Sequence, residues 1–160
     1  MASKKLIIGV VAVVVVVAVL AIAIGSGGGQ DSSESDARLN YDFTITDSFT
    51  TSSGNTQEAY GNDTYLILNI TCANDHYSSG ISTNPIIFQW SVTVGGLTYS
   101  MDVDTYLHPS YVLADIAEGS TGSWTLVFSI PEGTTADDVT ISYEYDMILS
   151  TPTFEIDESL

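Results

Sequence analysis

From residue 39 onward, apolar side chains fall at every second position. Leu39, Tyr41, Phe43 and Ile45 alternate with Asn40, Asp42, Thr44 and Thr46, the period of a strand with one buried face and one wet face. Residues 50–63 (TTSSGNTQEAYGND) break the pattern and predict a loop. Alternation resumes with Leu66, Leu68, Ile70 and Cys72 against Tyr65, Ile67, Asn69 and Thr71. That phase turns Cys72 inward, as a small core filler rather than a reactive thiol. Residues 73–85 form a second predicted loop.

The firmest local signal follows: an apolar-alternating run at 87–94, then Gly95-Gly96, then a second run at 97–104. A two-residue Gly-Gly link suits a type I′ hairpin turn, in which both central positions need positive φ. Counting back from the turn pairs Val94 with Leu97, Val92 with Tyr99, Trp90 with Met101 and Phe88 with Val103 on one face. Thr93 with Thr98, Ser91 with Ser100 and Gln89 with Asp102 occupy the other. Residues 105–120 predict a long connection with an edge strand around 111–113. Trp124, Leu126, Phe128 and Ile130 mark the next strand, which Pro131-Glu132-Gly133 ends. Val139, Ile141, Tyr143, Tyr145 and Met147 mark another, and residues 150–160 an acidic last strand or tail around Phe154. Short strands with one apolar face each predict an all-β, antiparallel, immunoglobulin-like β-sandwich over residues 39–149. A closed barrel fits the same pattern.

Before this domain the pattern changes character. Residues 6–24 hold no charge, and at ~1.5 Å per residue they reach roughly 28 Å, close to a bilayer's hydrocarbon core. They predict one N-terminal transmembrane helix. Lys4 and Lys5 in the stub 1–5 precede it and only Arg38 follows, so the positive-inside rule expects a cytoplasmic N-terminus and an extracellular domain at the cell membrane. Ala21-Ile22-Ala23 offers the alternative of a cleaved signal, although the run is longer than an ordinary signal core. Residues 25–38 (GSGGGQDSSESDAR) predict a flexible tether.

Charge narrows the partners. The chain carries 20 acids against 3 Lys and Arg, a formal charge of −17, and with Lys4 and Lys5 on the cytoplasmic side the exported part holds Arg38 as its one cation. Such a surface repels nucleic acid, because phosphate binding needs the cations that it lacks. Salt tolerance and simple solubility both suit this acidity. Cys72 is the single cysteine, so no intrachain disulfide is available and the fold rests on packing.

The runs YLILNIT at 65–71 followed by Asn74, LADIAEG at 113–119 and WTLVFSIPEG at 124–133 resemble the telokin-like, immunoglobulin-fold extracellular domains of archaea and bacteria. The resemblance covers about residues 42–145 and implies a membrane or lipid anchor, a Gly/Ser/acidic tether and a sandwich, with no assigned activity. The chain departs from that pattern at Ala117-Glu118-Gly119, where many members have a Pro-Gly turn, and in lacking a lipobox cysteine after the apolar run.

Candidate chemistry is sparse. His76 and His108 are the only imidazoles, and no G-x-S-x-G turn, H-E-x-x-H helix or phosphate-binding Gly loop occurs. The expectation is a non-enzymatic domain without cofactors. Asp102, Asp104, Asp137 and Asp138 are weak candidates for a carboxylate Ca²⁺ site, since they lack the D-x-D-x-D-G spacing. Asn62 and Asn69 head N-x-T triplets and are candidate glycan acceptors. Tyr77, Tyr106, His108 and Tyr111 put amphipathic rings in two predicted loops, where they either plug the end of a sandwich or contact an envelope protein, a glycan or a small ligand. A subunit of a surface filament is the structural alternative, although residues 6–9 lack the glutamate of pilin-type precursors.

Crowded carboxylates repel over a Debye length that shrinks from ~10 Å at 0.1 M salt to ~3 Å at 1 M, and unfolding spreads them apart. The domain is therefore expected to gain thermal stability between low and molar NaCl, with millimolar Ca²⁺ adding little beyond its ionic strength. A melting temperature flat in NaCl but raised sharply by Ca²⁺ would replace solvated acids with a metal site.

Overall fold

The computed structural model describes residues 35–147 and 150–160. The expected stub at 1–5, the apolar run at 6–24 and the tether up to residue 34 lie outside the described residues. Among the described residues no helix is long and apolar enough to cross a membrane.

The described chain is all-β. Its strands are β1 (Ala37–Thr46), β2 (Ser48–Thr50), β3 (Thr56–Glu58), β4 (Asp63–Asn74), β5 (Ile81–Ser82), β6 (Phe88–Val94), β7 (Leu97–Ser100), β8 (Asp115–Ile116), β9 (Ser120–Pro131), β10 (Val139–Tyr145) and β11 (Phe154–Ile156). Short 3-10 turns occupy Val103–Leu107 and Ala136–Asp138. A four-stranded sheet runs β11-β1-β4-β9, a three-stranded sheet runs β10-β6-β7, and β2-β3 and β5-β8 form small pairs.

The two larger sheets share one core. Leu39, Leu66, Leu68, Ile70, Cys72, Leu126, Phe128 and Ile130 come from the first and Phe88, Trp90, Val92, Ile141 and Tyr145 from the second, all buried. These are the inward residues of the period-two pattern. Burial raises the Cys72 thiol to about 12, with the Asp75 carboxylate adding to the effect, so the thiol is a neutral apolar filler. Phe88 is the meeting point of the rings. Its centroid lies 5.2 Å from Trp90, 5.8 Å from Trp124, 5.9 Å from Tyr143, and 5.1 Å from both Tyr145 and Phe154.

The hairpin register holds for four pairs, Val94↔Leu97, Thr93↔Thr98, Val92↔Tyr99 and Ser91↔Ser100, with Gly95 and Gly96 at φ 58° and 82°. It stops there. Trp90, Gln89 and Phe88 do not pair with Met101, Asp102 and Val103, because the chain leaves β7 and turns into the 3-10 segment that Asp102 caps. Trp90 and Phe88 pair with β10 instead, opposite Tyr143 and Tyr145.

Three further boundaries differ from expectation. The expected tether ends before Ala37, which is fully buried in β1, because β1 pairs over its whole length with β4. Within the predicted loop 50–63, Thr56–Glu58 pairs back on Ser48–Thr50. Phe49 from that hairpin joins Tyr65, Ile67 and Val127 in a second buried cluster on the outer face of the four-stranded sheet. Period two had turned those three residues to solvent; a covering hairpin reverses that. The edge strand expected at 111–113 forms at Asp115–Ile116, against Ile81–Ser82.

The last strand is stitched to the first. Residues 154–156 lie parallel to Ala37, Arg38 and Leu39, and the Asp157 amide donates to the Leu39 carbonyl at 2.8 Å. The Arg38 guanidinium donates to both Asp75 oxygens, at 2.8 and 3.0 Å, and to Asp157 at 2.8 Å. Donation from Ser159, and then from Arg38, brings the Asp157 carboxyl down to about 2, and Arg38 chiefly lowers that of Asp75.

Phe88→Ala should cost about 3–5 kcal/mol of unfolding free energy in urea, whereas Leu97→Ala, at a side chain 65% exposed, should change it by no more than about 0.5 kcal/mol. Equal effects would remove Phe88 from the centre of the core. The clamp gives a pH signature. Carboxyls depressed in the fold lend stability that is full above their ordinary value near 4 and lost as pH falls toward about 2. Arg38→Ala should lower the melting temperature near pH 6.5, and the gap from the parent should narrow as pH falls from 4 to 2. A gap constant with pH would mean that the arginine acts through packing alone.

Candidate functional site

β9 is an outer strand of the four-stranded sheet, and an uncovered edge invites pairing with other chains. Here the segment after β7 covers it. The Asp102 amide donates to the Val127 carbonyl at 2.8 Å, and the Thr125 amide donates to the Ser110 carbonyl at 3.1 Å. Between them the Thr105 hydroxyl, fully buried, accepts from the Val127 amide at 2.8 Å and donates to its carbonyl at 3.1 Å. One threonine side chain thus satisfies both main-chain groups of an edge residue.

The same segment is fastened on its other sides. Asp102 caps the 3-10 turn by accepting from the Asp104 amide at 2.9 Å, and the Ser129 hydroxyl donates to it at 2.6 Å. Asp104 accepts from Gln57 at 3.1 Å and from the Tyr65 hydroxyl. Burial and that carboxylate push the Tyr65 phenol up to about 12. The Ser52 amide donates to the Leu107 carbonyl at 2.9 Å. The His108 ring tilts against Phe49 at 5.1 Å, with its Nδ1 accepting from the Ser110 amide at 3.3 Å, and burial lowers its pKa. Further along, the Thr83 hydroxyl donates to the Val112 carbonyl at 2.7 Å and accepts from the Ala114 amide at 2.9 Å.

Residues 102–114 therefore form a strap pinned at both ends, and what it displays is apolar. Val103 is 73% exposed, Tyr106 55%, Leu107 41%, Val112 42% and Leu113 61%. Tyr106 and Tyr111 meet edge to face at 5.1 Å. Five of the eight large hydrophobic residues exposed among the described residues fall on this strap.

The candidates named from the sequence divide accordingly. Tyr106, His108 and Tyr111 all lie on the strap, where the two tyrosines meet each other and His108 packs on Phe49. Tyr77 does not join them: it is buried in the main core, its hydroxyl 2.8 Å from the Ser150 carbonyl and its backbone held by Asn74. Asp102 and Asp104 do not share a strand face; one caps and the other anchors the 3-10 turn. Asp137 and Asp138 sit in the second 3-10 turn, where Asp138 accepts from the Thr135 amide at 3.0 Å and hydroxyl at 2.7 Å. Among the described residues no three His, Cys, Asp or Glu side chains gather as a metal would need. Asn62 is exposed in the turn before β4, and Asn69 is half-buried within β4. Sequence reasoning missed Val103, Leu107, Val112 and Leu113 as displayed residues. Val103 fits the alternation of 97–104 and was expected on the inner face opposite Phe88, whereas Leu107, Val112 and Leu113 fall in the long connection 105–120, whose apolar run is broken by Pro109.

Comparison with known proteins adds a family and little else. No curated protein matches the chain. A solved structure, that of a "putative lipoprotein (ycdA)" from Bacillus subtilis, matches with a TM-score of 0.39 and 11% identity, over 73% of this chain and 39% of its own. This chain thus spans well under half the length of that protein. Residues 33–153, which include the whole strap, fit one family. The chain belongs to the family described as domain of unknown function DUF4352.

Proposed function

We propose that this protein is a non-enzymatic binding module, anchored by residues 6–24, that holds an immunoglobulin-like sandwich outside the cell membrane and engages an envelope protein or glycan through residues 103–113. The observation that carries this reading is the concentration of exposed apolar side chains on one pinned strap. A soluble domain gains nothing in its own stability from displaying them, and a rigid aromatic surface costs little entropy to engage.

Other features support it. In strand order, β1, β4 and β9 lie together and β6 and β10 lie opposite, which is how an immunoglobulin sandwich distributes its first, second and fifth strands and its third and sixth. The last strand departs from that plan by lying on β1. The absence of lysine after residue 5, with Arg38 engaged by two aspartates, directs the strap toward neutral or cationic partners.

The test uses the full chain in detergent, cross-linked within its own envelope fraction. The parent should retain a discrete envelope component, and Tyr106→Ala combined with Leu113→Ala should weaken retention at least about tenfold, or ~1.4 kcal/mol. Leu97→Ser, a change at an exposed apolar residue off the strap, should leave it intact. Equal retention by the strap variant, with unchanged melting temperature, would reject this surface as the site.

A further inference from the structure

The two N-x-T triplets enter the fold in opposite states. Asn62 is exposed in the turn between β3 and β4, beside Gly61 at φ 70°. That turn is held through the main chain: the Asp63 amide donates to the Tyr60 carbonyl at 3.3 Å and the Glu132 amide to the Asn62 carbonyl at 2.9 Å. Neither bond uses the Asn62 carboxamide, so a substituent there displaces no contact of the fold.

Asn69 is built into the sheet. Its Nδ2 donates to Asp42 on β1 at 2.7 Å, and its Oδ1 accepts from the Thr125 hydroxyl on β9 at 3.1 Å. The carboxamide thus bridges three adjacent strands, and a sugar on Nδ2 would stand in the place of the Asp42 contact.

The hydroxyl that completes each triplet is tied up in the folded domain. Thr64, 3% exposed, donates to the Thr46 carbonyl at 2.9 Å and to Asp47 at 3.1 Å, and Thr71 pairs with Ser123 at 3.0 Å. Transfer before β4 docks would meet both triplets open, and folding would then favour the product that leaves the sheet whole.

We propose that Asn62 carries an N-linked glycan and that Asn69 does not. A bond forms between Asn62 Nδ2 and the anomeric carbon of a lipid-phosphate-linked oligosaccharide. The bond from that carbon to the phosphate oxygen breaks, the lipid phosphate departs, and one carboxamide proton is lost to solvent. The proposal rests on the export reading above.

Full-length protein isolated from its native cells, as the parent, Asn62→Gln and Asn69→Gln, tests it by intact-mass and glycopeptide measurement, with protease treatment of intact cells reporting export. One oligosaccharide mass is expected on the Asn62 peptide, lost in Asn62→Gln and kept in Asn69→Gln. A bare Asn62, or a glycan on Asn69, in protein that the protease reaches would overturn the assignment while leaving export standing. A domain protected in intact cells would overturn the export reading and the assignment with it.

Discussion

The packing of aromatic rings around Phe88 is the constraint on which the rest of the structure depends. Its neighbours come from β6, β9, β10 and β11, so a single side chain touches both larger sheets and the last strand. Ring pairs of this kind contribute about 0.5–1.5 kcal/mol each beyond the area that they bury. Cys72 is a buried free thiol, and the ion pairs of Arg38 lie between β1, β11 and the turn at Asp75 rather than between the two sheets. The two sheets are therefore held at their distance by side-chain shape. Trp90 is the cost of that arrangement: its indole N–H is buried with no acceptor, in the middle of the ring cluster.

Once the sheets are fixed, the edges become the next problem. β4 and β9 pair over twelve residues each, which leaves the long outer side of β9 in need of cover. The strap provides it with one threonine hydroxyl and two main-chain bonds, rather than with another strand. A further strand would have paired continuously and turned alternate side chains back onto the sheet. A strap that touches β9 at few points is free to point the others outward, and that is why the apolar display occurs here. The display is a consequence of how the edge is closed.

Legibility in the sequence follows the same division. The strands of the main core were readable because their residues obey one period and face one core; Leu66, Leu68, Ile70 and Cys72 are all buried as the alternation requires. The hairpin register was readable because Gly95-Gly96 fixes it locally. What period two could not carry was a second layer on the wet face. Tyr65, Ile67 and Val127 alternate correctly yet are buried, because a hairpin of Ser, Thr and Gln lies over them with Phe49 beneath it. Tyr77 shows the converse failure, since a tyrosine in a loop reads as display until Asn74 is seen drawing that loop into the core. Of the site, Tyr106, His108 and Tyr111 were legible by residue type, but their placement on the strap depends on Thr105, Thr83 and Ser110, whose partners lie 15 or more residues away in sequence.

Electrostatics decides what kind of recognition such a surface can perform. The single arginine of the described residues is spent on holding β11 and the turn at Asp75 to β1, so it is not available to meet a ligand. Every other Asp, Glu, Lys or Arg after residue 5 is an acid. Long-range attraction therefore cannot guide a neutral partner, and specificity toward it has to arise at contact, from shape and apolar area. The strap is where the molecule concentrates that area. Its rigidity matters for the same reason: a surface without charge steering binds usefully only if little ordering entropy remains to be lost on contact. Pins at Thr105, Asp104, Ser110 and Thr83 remove that entropy during folding, before any partner arrives.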